Sequence, residues 1–410
     1  MQGRSVSAAQ PDPAKIATVP ARVAGTMPFA AMSAYGFAGA MLLSASSSAV
    51  TPLYRLYQQS MHLTPFWITV VFASYVVSLL AGLLTVGSLS DYVGRRPVML
   101  AALVVNAAAM LIFAEATTLW HLVAARMVQG LSVGIGVTAF GAAILDTSRT
   151  HGPLLNSVTA FLGLMAGALG SAALIVTVSD PLHDVYLALL GVTVLMIALL
   201  WFMPESCSPK AGALASLRPH VAVPPQSRAI LTRLTPVNIA SWALGGLYLS
   251  LMPTVVATAM NVASPWTGGV VVSSLMLSGA VAVAALRNWP SRRLILVGTS
   301  CLPVGVAVSM AGIHSQQVAT LLAGTVIAGA GFGTTFAGML RALLPTAHPH
   351  ERAALLAAFY VQSYLAFAVP AVAAGLAVPL LGLSTVAYIY GAVTIVLAIV
   401  SGVASARANE

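Results

Sequence analysis

Two groups of side chains in this sequence could do chemistry, and both are polar insertions into an otherwise apolar chain. The first is Arg126, in the string Ala125-Arg126-Met127-Val128-Gln129-Gly130 within a long apolar run. A guanidinium at depth in an apolar medium is costly and must face a polar or water-filled interior. Gln129 and Val133 follow at i+3 and i+7, on the same helical face, so Arg126 and Gln129 point together toward a central cavity. There they would recognise a molecule carrying acceptors or negative charge. The same arginine could instead pair with helix-end carbonyls and only fix packing. The second group is the short connection Gly87-Ser88-Leu89-Ser90-Asp91-Tyr92-Val93-Gly94-Arg95-Arg96-Pro97. Asp146, at the end of the run that holds Arg126, lies level with it and can pair with Arg95, while Asp91 can cap a neighbouring helix.

Farther along, Trp242 and Tyr248, then Tyr360, Gln362 and Tyr364, supply aromatic and hydrogen-bonding groups for a mostly apolar binding site. No nucleophile, base and acid fall into a catalytic arrangement, so no enzyme is expected. Of the nine acids none lies near the middle of an apolar run, so a carboxylate relay at depth is missing. Proton traffic would have to use Arg126 with a rim acid, one of His62, His121, His183 and His314, or a protonated substrate. His348 and His350 make two ligands, which is not a metal site. Cys207 and Cys301 imply no disulfide framework. Gly329-Ala330-Gly331-Phe332-Gly333 sits inside an apolar run and follows no strand, so it is not a nucleotide loop. No P-loop occurs, and no cofactor is expected.

The elements that must position these residues are membrane helices. Of 410 residues 59% are hydrophobic and 7% charged, and mean hydropathy is +0.94. A soluble domain carries about 25% charged residues. A net charge of +9 would suit nucleic acid, but the basic residues stand singly or in pairs between apolar runs, without interleaved aromatics, so no nucleic-acid partner is expected. Taking about 20 residues per span, the pattern predicts helices at about 29–55, 65–87, 97–114, 119–146, 153–178 and 183–203, then 234–262, 265–286, 292–312, 317–343, 351–379 and 382–404. The first carries Ser44, Ser46, Ser47, Ser48 and Thr51 ahead of Pro52 and Arg55. The expected organisation is a tail at 1–28, a six-helix half at 29–203, a proline-interrupted linker at 204–233, a second half at 234–404 and a tail at 405–410. With both ends cytoplasmic, every basic residue except Arg55 and Arg126 falls inside, the pattern of an inner-membrane protein. The halves also repeat. Aligning Arg292-Arg293 with Arg95-Arg96 puts Asn288 where Asp91 stands, and Met252-Pro253 echoes Thr51-Pro52.

The string G-x-L-x-D-x-x-G-R-R at 87–96 resembles the signature loop between helices 2 and 3 of the major facilitator superfamily. Arg126 followed by Gln129-Gly130 resembles that family's helix 4 signature, and Pro204-Glu205 its ending after helix 6. The resemblance implies an all-α membrane protein of twelve spans in two pseudo-symmetric halves. It implies a secondary transporter that rocks about a central site, with Gly87, Asp91, Gly94, Arg95, Arg96 and Asp146 as the gate on one face. The first half is most like the drug- and metabolite-exporter branches, which implies proton-coupled export by a monomer, and because the one deep charge, Arg126, is positive, the expected substrate is a small amphipathic or weakly anionic molecule. Drug antiporters usually carry Gly-Pro in helix 5. Here Ala168 follows Gly167, and the spacing of Gly163 and Gly167 suggests close helix approach at a rocking interface. A proton-coupled importer of an organic acid or sugar, or a receptor that no longer transports, therefore stays open.

Because the second loop has lost its acid, Asp91→Asn should impair transport far more than Asn288→Ala. Equal losses in a transport assay at matched abundance would mean that the gate is misassigned.

Overall fold

The computed structural model describes residues 27–148, 150–262 and 264–407. Arg4, Lys15, Arg22 and Arg149, all expected on the cytoplasmic side, lie outside the described residues. Twelve long helices follow one another. They are α1 Ala31–Ser60, α2 Pro65–Val86, α3 Arg95–Ala114, α4 Leu119–Thr147, α5 Gly152–Thr177 and α6 Pro181–Leu200. Then come α7 Pro225–Ser250, α8 Pro265–Ala285, α9 Ser291–His314, α10 Val318–Leu343, α11 Arg352–Leu381 and α12 Leu383–Arg407. No strand occurs among the described residues. Ten of the helices are long and apolar enough to cross a membrane alone, and α7 joins them only together with its continuation Met252–Ala259, bent by 56°. The serine-rich α1 is not among them. Below, the near face is the one on which α1 begins and α12 ends, and the far face is opposite.

Proline sets several starts. Pro65, Pro153, Pro181 and Pro225 all stand in the first turn of a helix, where a missing N–H costs nothing. That explains one departure from expectation. Pro224-Pro225 was read as part of a linker running to 233, yet Pro225 opens α7 well before the expected 234. The bend after Ser250 falls at Leu251-Met252-Pro253, where proline removes a helix hydrogen bond and Val255–Ala259 adopts a π-helical turn.

Packing repeats with a shift of six helices. In the first half α2 lies on α4, α3 on α4 and α6, and α1 on α4 and α5; in the second half α8 lies on α10, α9 on α10 and α12, and α7 on α10 and α11. The halves meet along α2 with α11 and α5 with α8. Small residues make this possible. A Cβ on Gly269 would lie 2.4 Å from the Ala172 side chain, and one on Gly375 would lie 2.2 Å from Thr69. Gly163 and Gly167, expected at the rocking interface, instead seat α5 against α1 within one half: their added Cβ atoms would lie 2.6 Å from Met41 O and 2.0 Å from Ala45 O. The face of α5 toward α8 is Ala168 and Ala172.

At the near face the charged connection becomes the one-turn helix Ser90–Val93, then Gly94, then α3. Arg95 donates through Nε to Asp146 (3.1 Å) and through Nη1 to Ser90 Oγ (2.8 Å) and to Asp91. Asp91 therefore pairs with Arg95 and caps no neighbouring helix. The cap of α3 is Glu205, whose carboxylate accepts from the backbone N–H of Arg95 (2.8 Å) and Arg96 (3.0 Å), and also of Ser206 and Cys207. A carboxylate there satisfies helix-end donors and meets the positive end of the helix dipole. Gly94 is required twice over. Its φ of 100° and ψ of 160° belong to a region that is essentially glycine-only, and an added Cβ would lie 2.7 Å from Glu205 Oε2. Backbone bonds then fasten the α6–α7 connection to the same loop, with Lys210 N donating to Tyr92 O at 2.7 Å.

Gly94→Ala should destabilise by about 1–3 kcal/mol and Glu205→Ala by about 0.5–2 kcal/mol. Thermal unfolding of the purified protein checks both, and an unchanged melting temperature for either variant contradicts the cap.

Candidate functional site

A cavity of about 130 Å³ lies where the halves meet, walled by Ser47 and Thr51 of α1, Phe72 and Tyr75 of α2, Arg126 of α4, Phe161 of α5, Trp242 and Leu249 of α7, Phe332 and Phe336 of α10 and Tyr364 and Phe367 of α11. That is room for about one aromatic ring, since a cavity of about 150 Å³ takes benzene. The walls differ in kind. The first half brings the charge and the second brings most of the rings.

Arg126 is 1% exposed. Its Nη1 donates to Ser47 O (2.8 Å) and Gln129 Oε1 (2.7 Å), and its Nε (3.2 Å) and Nη2 donate to the Tyr54 hydroxyl. The guanidinium also stands over the rings of Tyr75 (5.1 Å) and Tyr54 (5.6 Å), favourable for a cation. Five N–H donors belong to a guanidinium, so one Nη2 hydrogen has no acceptor among the described residues. No carboxylate pairs with it there either, because every ion pair of the described residues lies elsewhere. Gln129 in turn donates to Ser46 O at 2.9 Å, and Asn106 to Ser46 Oγ (3.3 Å) and Thr193 Oγ1 (3.0 Å). The polar stripe of α1 is thus the socket for the deep arginine.

Opposite, the Trp242 indole meets Tyr364 (centroids 5.0 Å), Phe367 (5.7 Å), Phe336 (6.1 Å) and Phe332 (6.3 Å) edge to face. Its Nε1 is buried without a hydrogen-bond partner. A buried indole N–H normally finds one, so the wall holds a second unused donor. Toward the far face the cavity is closed by Thr51, whose hydroxyl donates to Leu249 O across the halves (3.0 Å), and beyond it Thr254 donates to Gln58 Oε1 (3.1 Å). Arg55 lines a separate far-face pocket with Pro52 and Pro253 and does not reach the cavity.

Of the residues expected to bind substrate, Arg126, Trp242 and Tyr364 line the cavity. Gln129 orients Arg126 from behind. Tyr248 is buried elsewhere, its hydroxyl shared with Thr325 (2.8 Å) and Ser309 (3.3 Å). Gln362 ties α11 to α7 through Asn238 (3.0 Å) and Thr235 (2.8 Å). Tyr360 sits beside Phe359 and stays off the cavity wall. Phe72, Tyr75, Phe161, Phe332, Phe336 and Phe367 went unread. Phe332 and Phe336 are four apart and Tyr364 and Phe367 three apart, the spacing of one helix face, and that was the available signal. Of the expected gate residues, Arg95 holds Asp91 and Asp146, Gly94 makes the turn after Gly87 ends α2, and Arg96 donates to Trp201 O (3.3 Å). All these contacts stay within the first half; none reaches the second half among the described residues. The matching Asn288, Arg292 and Arg293 are exposed and in no ion pair among the described residues.

The sequence profile of the Major Facilitator Superfamily matches residues 36–314. The chain is similar to the multidrug resistance protein MdtL of Klebsiella pneumoniae (strain 342), at 25% identity over 292 residues, 66% of this chain and 71% of that protein. It is also similar to MdtL of Escherichia coli (strain K12), at 31% identity over 160 residues, 37% of this chain and 39% of that one. Among solved structures, the nucleoside transporter NupG superposes with a TM-score of 0.68 at 12% identity, covering 92% of this chain and 99% of that one. The human organic anion transporter MFSD10 (TETRAN) does so with 0.64 at 16% identity, covering 92% and 100%. At such identities the structural likeness speaks to the fold alone. A profile match over more than half of the residues, and a helical architecture of the same kind, establish that the chain belongs to the major facilitator superfamily and is a multi-pass membrane transporter resembling its drug-exporter-like branch.

Proposed function

We propose that the protein is a secondary active transporter that exports a small aromatic, amphipathic or weakly anionic molecule by alternating access, coupled to protons and working as a monomer with its near face in the cytoplasm. The observation that carries the substrate class is the pair of unused donors, one on Arg126 and one on Trp242 Nε1, in a ring-lined cavity at the junction of the halves. A planar ring fits among Trp242, Phe332, Phe336 and Tyr364, and an acceptor or carboxylate on it meets the guanidinium. Such a ligand touches both halves at once, so its binding free energy bears on their relative position. The printed names of the MdtL relatives, multidrug resistance proteins, favour export. The concentration of Arg95, Arg96, Arg292, Arg293 and Arg341 at the near face favours a cytoplasmic assignment for it. No carboxylate lies within the cavity wall, so the coupling proton is assigned to the substrate or to a rim group.

The test is transport in proteoliposomes with an imposed pH gradient, comparing an aromatic carboxylate, its neutral amide and a quaternary ammonium analogue. Arg126→Ala should lower kcat/KM for the carboxylate by about 10- to 150-fold, the worth of a hydrogen bond to a charged group. Trp242→Phe keeps the ring and removes the N–H, so it should cost about 2- to 10-fold for acceptor-bearing substrates and little for a plain hydrocarbon ring. Unchanged transport by Arg126→Ala protein of normal abundance overturns the assignment, and accumulation that survives collapse of the pH gradient overturns the coupling.

A further inference from the structure

The near face of the second half holds a charge arrangement that the central cavity does not use. Where α4 ends in Asp146, α10 ends in Arg341, and where Arg95 opens α3 among Asp91, Asp146 and Glu205, Arg292 opens α9 with no acid beside it. Arg233, two turns into α7, completes a group of three. Arg233, Arg292 and Arg341 line one pocket of about 370 Å³ between α7, α9 and α10. Among the described residues no carboxylate pairs with any of them. Arg233 Nε is buried without an acceptor, and Arg341 has only the Trp289 carbonyl, at 3.0 Å. Glu351, the only acid of the described second half, is bound to Gln226 and to the His348 N–H. Apart from Ser291, the rest of the wall is apolar, with Ile230, Leu234, Ile295 and Leu296, the last 38% exposed on the outer surface of α9.

Like charges gathered around a partly apolar pocket repel one another unless an anion joins them. The first half supplies its own carboxylates; the described second half has only Glu351, which is engaged elsewhere. We infer that this pocket binds a phosphate-bearing anion, and that the anion is the headgroup of an anionic phospholipid whose acyl chains lie along the exposed Leu296. Guanidinium groups match phosphate oxygens in geometry as well as charge, and basic pockets between membrane helices are suited to such headgroups. The exposed leucine beside the arginines separates this reading from a site for free phosphate, which needs no apolar neighbour. The site lies on one half only, away from the cavity, and its occupant would steady α7 against α9 and α10.

The test uses the purified full-length protein in detergent, with bound lipid counted by native mass spectrometry and stability followed by thermal unfolding. Phosphatidylglycerol, phosphatidylcholine and inorganic phosphate are the probes. Phosphatidylglycerol should bind more tightly than phosphatidylcholine and raise the melting temperature. Arg233→Gln with Arg341→Gln should weaken it by about 25-fold, at about fivefold for each arginine, while Arg287→Gln, on the same face but outside the pocket, leaves it unchanged. Should the double variant not fold, Arg341→Gln alone changes an exposed side chain and should show the fivefold loss. Equal binding of the two lipids, or undiminished phosphatidylglycerol binding in the variants, overturns the site. Full stabilisation by millimolar inorganic phosphate without lipid overturns the headgroup assignment.

Discussion

The structure depends on one expensive group, the guanidinium of Arg126, buried two turns into α4 with no carboxylate to meet it among the described residues. At the centre of a span an arginine costs about 2.5–3.5 kcal/mol by insertion measurements, an upper bound for one two turns into α4. A hydrogen bond to a charged group returns about 1.5–3 kcal/mol. A few good acceptors therefore suffice, and they come from Ser47 O, Gln129 and Tyr54, with the Tyr75 ring beneath. That requirement explains much else. α1 has to carry serines and a buried tyrosine, α5 has to come close enough through Gly163 and Gly167 to cover it, and Asn106 has to hold Ser46 from the other side.

The arginine's wall and the aromatic wall belong to different halves, joined at this level by ring contacts of Phe72 with Phe367 and of Phe161 with Phe332 and Phe336, by small-residue contacts and by a few hydrogen bonds. Thr51 to Leu249 and Thr254 to Gln58 sit toward the far face, beside Pro52 in α1 and the proline break in α7. Both helices are weakened where they touch. Such a junction can part without disturbing the packing inside either half, while at the near face the covalent connection stays fastened to the first half through Glu205 and Lys210.

Much of this was legible in the sequence for a simple reason: in a chain with so few charges, each one is conspicuous. Arg95, Asp146 and Arg126 announced themselves by being out of place, and the pairing of Arg95 with Asp146 followed from their common level. Glu205 was noticed without its task, because a cap depends on where a distant helix begins. Pro224-Pro225 reads as an interruption in sequence because a proline that starts a helix and one that stops it look alike until the next turn is seen. The cavity wall was hardest. In a lipid-facing helix the outward side is as apolar as the inward side, so hydropathy does not mark Phe332 and Phe367, and only their spacing from Phe336 and Tyr364 does. Tyr248 and Gln362 were chosen for their polar atoms, yet those atoms were already engaged in holding helices together.

The polar stripe that receives Arg126 also bears on how the chain reaches its membrane. α1 alone is not apolar enough to count as a span by its own composition, and α7 qualifies only with its bent extension. These are the leading helices of the two halves. During synthesis α1 leaves the ribosome before α4 and α5, the helices that later satisfy its serines and carbonyls. Until they follow, the acceptors that later receive Arg126 have no such partner in the chain already made. The buried arginine of α4 thus takes up acceptors on a helix made well before it.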